Sequence, residues 1–278
     1  MAEEREFEFT NADFERIRQF VSEHTGIVLT EKKKDMVYGR LAKRVRKGGF
    51  ASFEDFCTAL EQGDEEEQDF MVNAITTNLT AFFREEHHFE YLANTLIPEL
   101  VEKNRHTKKL RIWSAGCSTG EEPYSIAMIL KESLPNFDEW DVKILATDLD
   151  ANVIEQGKSG IYRADRMTGI RDDRIKRWFK QGRGKQDDKV KVSPELQQMI
   201  SFKRLNLLQD WPMKGQFDLM FCRNVVIYFD KETQKVLFDR YADILVADAH
   251  LFIGHSETLF KVCNRFDSLG TTIYRKNS

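Results

Sequence analysis

The sequence predicts an α/β protein in two parts: a small all-helical domain, then a doubly wound, mostly parallel sheet that carries a small insert. Three observations predict it. Up to about Thr76 the apolar residues recur only at helical spacing. From Leu110 onward, short apolar runs alternate with amphipathic stretches. Between Ser159 and Pro194 that rhythm breaks in a polar segment holding Gly182, Gly184 and a charged run.

The helical part reads in order. Asn11 to His24 follows the cap-like Thr10-Asn11 and carries Phe14, Ile17, Phe20 and Val21 on one face. Glu31 to Lys47 makes a second helix, closed by Gly48-Gly49. Ser52 caps a third through Leu60, and Asp64 to about Ile75 makes a fourth. Thr76 to Phe83 is less regular, and a further helix from Glu85 to about Asn104 leads to the first strand. Strands are expected at 110–115, 142–147, 200–205, 217–222, 249–254 and 271–275, with helices at 120–133, 150–157 and 231–246.

Composition narrows the class. With 278 residues, 41% of them hydrophobic and 21 of them Phe, the chain can bury a sizeable core. Charged residues at 32% and a net charge of −4 give no global pull toward nucleic acid. No apolar run approaches the ~20 residues of a membrane span. The opening MAEEREFEF has no apolar signal core, so a cytoplasmic protein is expected. Cys57, Cys117, Cys222 and Cys263 are widely spaced with no CxxC, which reads as four reduced thiols.

Two segments carry the chemistry. LRIWSAGCSTGEEPYS (Leu110 to Ser125) is a strand, a glycine-bearing turn and a helix start. VKILATDLD (Val142 to Asp150) is a second strand ending in the acid Asp148. Together they describe a site for an adenosine-containing cofactor, with Gly116 allowing close approach and Asp148 accepting from ribose hydroxyls. The turn is not GxGxxG, and Glu121-Glu122 would repel a pyrophosphate at this helix start. A ribose ligand with a cation, such as S-adenosylmethionine, fits better. Glu121 reads as a complement to the helix dipole and Glu122 as a ligand contact. Arg223-Asn224 and Asn206-Leu207 follow later strands at the same carboxyl edge. A single edge asparagine is an ordinary turn former, but their joint placement points to a pocket.

From Glu31 to Gly49 eight basic residues face two acids, a net of +6. Val37, Tyr38, Leu41 and Val45 share one side, and Lys33, Arg40, Lys43, Arg44 and Lys47 share another. A solvated helix face and a docking strip for an acidic partner both fit. His87-His88 are adjacent and should point about 100° apart, so no metal is assigned.

The blocks TTNLTAFFREEHHF, WSAGCSTGEEPYS, ATDLD, NLL, FCRNVVIYF and GHSE resemble the CheR chemoreceptor glutamate methyltransferases over nearly the whole chain. That resemblance implies a helical N-terminal docking domain over 1–76 and a linker over 77–89 that reaches the cofactor. It implies a class I S-adenosylmethionine-dependent methyltransferase domain over 90–278, with a β-subdomain at about 180–193. It implies methylation of receptor glutamates, with S-adenosylhomocysteine as the other product. By the same resemblance Asn78, Thr80, Arg84, Gly116, Glu122, Asp148, Asn206, Leu207, Arg223 and Asn224 contact the cofactor. Arg84 and Tyr228 shape the transfer site, and Lys33, Arg40, Lys43, Arg44 and Lys47 dock the receptor. Gly182, Arg183 and Gly184 correspond to a loop that binds a peptide tether at the receptor C-terminus, although Asp188 replaces a further glycine of that pattern. The expected partners are receptor cytoplasmic domains, with no nucleic acid, no membrane insertion and a monomeric state. The rival readings are a methyltransferase of RNA or a small molecule, and a non-catalytic module that senses the cofactor.

Overall fold

The computed structural model describes residues 5–277; the first four residues of the expected helical domain and Ser278 lie outside the described residues. The chain forms two compact units. One comprises the chain up to Thr77 together with Tyr228–Thr233, and the other comprises Asn78–Ile227 and the chain from Gln234 onward.

The helical unit holds α1 (Asn11–Thr25), α2 (Lys34–Lys47), α3 (Phe53–Glu61) and α4 (Glu65–Ile75). Three of the four starts are capped by a local side chain. Thr10 and Asp13 form a reciprocal capping box, Ser52 accepts from the Asp55 N–H, and Asp64 accepts from the Glu66 and Glu67 N–H groups. The apolar stripes of Phe14, Ile17, Val37, Leu41, Val45, Phe53, Phe56 and Leu60 meet in one core. Tyr228 and Phe229 pack against that core, and the Val28 N–H donates to the Tyr228 carbonyl at 2.9 Å. A segment far along the chain therefore completes the helical unit.

The larger unit begins with α5 (Glu86–Tyr91), a π-helical turn at Leu92–Leu96 and α6 (Ile97–Lys103). It continues through β1 (Lys109–Ala115), α7 (Glu121–Ser133), β2 (Asp141–Asp148) and α8 (Ala151–Ser159). Next come β3 (Ile161–Arg163), α9 (Asp172–Trp178), β4 (Phe179–Gln181), β5 (Lys189–Val192) and α10 (Pro194–Gln197). The chain closes with β6 (Ile200–Arg204), β7 (Phe217–Cys222), α11 (Lys231–Ile244), β8 (Leu245–Ile253), β9 (Phe266–Gly270) and β10 (Ile273–Lys276). The main sheet runs β6-β2-β1-β7-β8-β10-β9. Its first five strands are parallel, and β10 pairs antiparallel with β8 and β9. The doubly wound fold is as expected, with one more C-terminal strand: the expected 271–275 strand is the second arm of a hairpin.

The order places the switch point between β1 and β7, since the chain leaves β1 for β2 on one side and returns to β7 on the other. β7 is buried throughout and β1 and β2 are buried over their carboxyl-terminal ends, as strands covered on both faces must be. The insert is larger than the expected 180–193. A second sheet, β3-β5-β4, draws on residues from Ile161 to Val192. Its strands are three or four residues long, too short to show alternation in the sequence. Tyr162 and Phe179 of this sheet hold the Phe82 ring edge-on at 5.1 and 5.4 Å, which joins the insert to the segment before α5.

Two buried histidines tie this unit to pH. Burial, with Arg223 nearby, pushes His88 down to about 4, and burial with the nearby Arg275 and Lys103 charges does the same for His250. The unfolded chain binds these protons near ~6.5 and the folded one only near 4, so stability falls as pH drops from 6.5 toward 4. Calorimetry across that window should show a falling Tm, and a Tm that rises on acidification would contradict the assignment.

Candidate functional site

The site is built at the carboxyl ends of β1, β2, β6 and β7, around the switch point. After β1 the chain turns at Gly116, whose φ is +76°. Its N–H and that of Cys117 donate to the Thr147 carbonyl at 2.8 and 2.9 Å, locking the turn against β2. A Cβ at Gly116 would lie 2.2 Å from Val225 Cγ2, so only glycine lets the loop after β7 close over this turn.

At the end of β2, Asp148 is buried and its two oxygens accept the Ser118 N–H at 2.8 Å and the Asp150 N–H at 3.1 Å. Burial raises its pKa to about 6, against those N–H groups and with the Asp150 charge adding to the rise. Asn78 enters the same cluster: its Nδ2 donates to Asp150 at 2.8 Å and its carbonyl accepts the Ser118 hydroxyl at 2.9 Å. Thr80 is held through its carbonyl, which accepts from Arg166 at 2.6 Å. Arg166 also pairs with Glu121 at 2.5 Å. Glu121 is therefore more than the expected complement to the helix dipole. It is a buried carboxylate, and a buried carboxylate needs a cation.

A second cluster centres on Arg223, which is buried at the end of β7. Its guanidinium lies 3.3 Å from Glu85 and 3.3 Å from Glu122, and it donates to the Arg84 carbonyl. Glu122 also accepts the Ser114 hydroxyl at 2.7 Å. Burial raises the Glu122 pKa despite Arg223 and that hydrogen bond. Burial would raise Glu85 too, but Arg223, the His255 hydrogen bonds and His88 together hold it at about 2. The Arg84 side chain donates to the Leu79 carbonyl at 2.9 Å, bracing the segment that carries Asn78 and Thr80.

Beyond β6, Asn206 Oδ1 accepts the Leu208 N–H at 3.0 Å, and Leu207 is buried with its carbonyl held by Trp211 at 3.1 Å and Arg240 at 2.9 Å. The structure thus joins Asn78, Gly116 and Asp148 in one network, and Arg84, Glu122 and Arg223 in another, with Asn224 beside Gly116 through Val225. Tyr228 belongs to the helical unit, where Lys33 Nζ sits 5.3 Å from its ring centroid.

Of the five expected docking residues, Arg40 and Arg44, like Lys33 at the Tyr228 ring, are engaged within the helical unit. Arg44 pairs with buried Glu67 at 2.5 Å and with Glu66 at 2.7 Å. Arg40 donates to the Ala74, Ile75 and Thr76 carbonyls at 2.9–3.0 Å, capping the end of α4. Lys43 and Lys47 are exposed and make no ion pair among the described residues. Gly182 and Gly184 sit between β4 and β5; a Cβ at Gly182 would lie 1.9 Å from the Gln186 carbonyl oxygen, and Gly184 has φ +61°. Arg183 is exposed between them. Asp188 lies outside the left-handed region, so its backbone does not demand glycine.

Sequence reasoning missed Glu85, Arg166 and Glu257. Glu85 and Glu257 lie inside the blocks TTNLTAFFREEHHF and GHSE, and Arg166 lies in no such block; what the three do shows only in their buried partners. It also misjudged His87 and His88. Glu85 is left-handed at φ +58°, the helix begins there, and the two imidazole centroids lie 4.2 Å apart rather than diverging. Glu85, His87 and His88 bring ligand-type atoms within 4.8 Å of one another. Arg223 already supplies the positive charge at Glu85, and His88 Nε2 is engaged by the Thr271 carbonyl at 3.0 Å.

Comparison with known proteins then decides the family. Residues 78–275 match the CheR methyltransferase, SAM binding domain, and residues 12–76 match the CheR methyltransferase, all-alpha domain. The chain belongs to the CheR methyltransferase family. Chemotaxis protein methyltransferase 2 of Pseudomonas aeruginosa is 44% identical over 271 residues, covering 97% of this chain and 95% of the relative. The chemotaxis protein methyltransferase of Escherichia coli is 41% identical, covering 95% and 91%. That of Borreliella burgdorferi is 40% identical, covering 96% and 95%.

The enzyme is an S-adenosylmethionine-dependent methyltransferase, and the site fits that cofactor. Asp148 retains acceptor capacity beyond its two N–H partners, and Gly116 leaves the turn free of side chain. The Asp148 acceptors require ionisation. Affinity for S-adenosylhomocysteine should therefore weaken as pH falls through about 6. Asp148→Asn should bind roughly 10–100-fold more weakly and lose that pH step. Calorimetric titration between pH 5 and 8 checks both.

Proposed function

We propose that the enzyme methylates glutamate side chains on the cytoplasmic helices of chemoreceptors, giving neutral glutamate methyl esters and S-adenosylhomocysteine. The observation that carries this reading is that the similarity to chemotaxis protein methyltransferases spans the helical unit as well as the cofactor unit. When bound, S-adenosylmethionine supplies the electrophilic methyl group. A glutamate carboxylate has a pKa near ~4.3, so it is already a nucleophile at neutral pH and needs no general base. The protein's task is then to position the carboxylate and strip water from it, and positioning can supply roughly 7–11 kcal/mol of the barrier. Asn78, Thr80, Arg84, Gly116, Glu122, Asp148, Asn206, Leu207, Arg223 and Asn224 hold the cofactor in this reading. Arg84 shapes the transfer site.

The helical unit presents the acidic receptor helix. Within the basic strip, Lys43 and Lys47 are the cations that make no ion pair among the described residues, while Lys33, Arg40 and Arg44 are drawn into contacts of the unit itself. The small β3-β5-β4 sheet, with Gly182, Arg183 and Gly184 at its β4–β5 loop, is the place for a peptide tether at the receptor C-terminus. The enzyme acts in this reading as a cytoplasmic monomer. No helix among the described residues is long and apolar enough to cross a membrane.

Incubation with methyl-labelled cofactor and receptor cytoplasmic fragments, with and without their C-terminal tails, tests the reaction. The label should leave as methanol in mild base; stable label would sink the ester assignment. Arg84→Ala should lower turnover roughly 10²-fold. Lys43→Glu combined with Lys47→Glu should slow receptor methylation about tenfold at low salt while S-adenosylhomocysteine affinity stays unchanged. Parental rates in that double variant would remove the docking role, and tail-independent rates would remove the tether.

A further inference from the structure

We propose that Glu257 is a positioning residue for cofactor binding: its carboxylate draws the loop after β7 and the end of β8 together and presses that loop onto the Gly116 turn. The inference rests on the assignment of this crevice to the cofactor.

The geometry is specific. Oε2 of Glu257 accepts the Asn224 N–H at 3.0 Å and the Gly254 N–H at 2.5 Å. Oε1 accepts the Val225 N–H at 2.9 Å and the Ile227 N–H at 3.3 Å. One buried side chain thus gathers four backbone donors, three from the loop after β7 and one from the end of β8. No cation stands among these partners; the carboxylate is held by N–H groups alone. Burial raises the Glu257 pKa, and these four donors work against that rise; a carboxylate group is the side chain that offers acceptors without bringing a competing NH2.

The loop so gathered carries the pocket. Asn224 is held at φ +60°, a conformation asparagine tolerates but seldom adopts unaided. Val225 follows it and packs where a Gly116 Cβ would stand, 2.2 Å from the Val225 methyl. On the other side a Cβ at Gly254 would lie 2.4 Å from Asn224 Nδ2 and 2.8 Å from its backbone nitrogen. The Asn224–Val225 pair is therefore clamped, Val225 against the Gly116 turn and Asn224 against Gly254, and Glu257 is the group that holds the clamp shut. A glutamine here would turn an NH2 donor toward two of the four N–H groups, opening the loop without removing the side chain.

The test is S-adenosylhomocysteine titration, at a temperature well below each variant's Tm, with steady-state kinetics on a receptor fragment. Glu257→Gln should bind roughly 10–100-fold more weakly, with KM for S-adenosylmethionine raised and KM for the receptor fragment unchanged. Glu257→Asp, which keeps both oxygens, should recover part of the affinity. Gly254→Ala should weaken binding in the same direction, because its methyl displaces Asn224 without touching the carboxylate; it decides the matter if Glu257→Gln does not fold. Folded Glu257→Gln or, failing that, Gly254→Ala binding with parental affinity overturns the proposal. Asn224→Ala separates the two readings. If it binds weakly while Glu257→Gln binds normally, Glu257's role is wrong and the pocket assignment stands. If Asn224→Ala binds normally while Glu257→Gln does not, Asn224 leaves the pocket and Glu257 acts through Val225 on Gly116.

Discussion

The buried guanidinium of Arg223 is the constraint around which the site is arranged. A cation at the end of a strand covered on both faces has no water to solvate it, and leaving it unpaired would cost about 3–5 kcal/mol. Glu122 arrives from the first turn of α7, Glu85 from a left-handed residue before α5, and the Arg84 carbonyl from the same bend. Two separate stretches of chain are thus fixed to the end of β7 by one charge. The strained backbone at Glu85 follows from the same demand, since φ +58° aims its carboxylate inward.

The site contains acids in two electrostatic states. Glu85 and Glu121 face arginines and are committed to the fold. Asp148 and Glu257 face backbone N–H groups alone. Burial raises the pKa of both, and backbone N–H groups work against that rise. They are therefore the sensitive ones, because a ligand hydroxyl or a shifted loop changes their environment directly. The switch point of the sheet collects these acids because parallel strands deliver their ends to one edge from both sides of β1.

Much of this was legible in the sequence. The strand–turn–helix at Leu110 to Ser125 and the acid at Asp148 can be read because glycine, small residues and a strand-terminal acid are local signals. Helix starts at Thr10, Ser52 and Asp64 were equally local. The small sheet was not legible: strands of three residues carry no period, and Tyr162 and Phe179 reveal their partner only once Phe82 lies between them. The basic strip of α2 was legible as charge but not as chemistry. Sequence spacing cannot show that Arg44 neutralises Glu67 or that Arg40 closes α4, since those partners lie more than twenty residues away. Glu257 escaped for the same reason, since three of the four amides that give it meaning lie about thirty residues away in the loop after β7.

The short segment Tyr228–Thr233 gives the helical unit a discontinuous definition. The polypeptide passes from one unit to the other three times, at 77/78, 227/228 and 233/234. Residues up to Thr77 expressed alone would lack the carbonyl that satisfies Val28 and the aromatic side chains of Tyr228 and Phe229. The two halves are therefore not interchangeable cassettes. A recombination that exchanged only the N-terminal stretch would inherit a foreign six-residue plug, and drift in the plug and in the surface it fills must be matched across 150 residues of intervening chain.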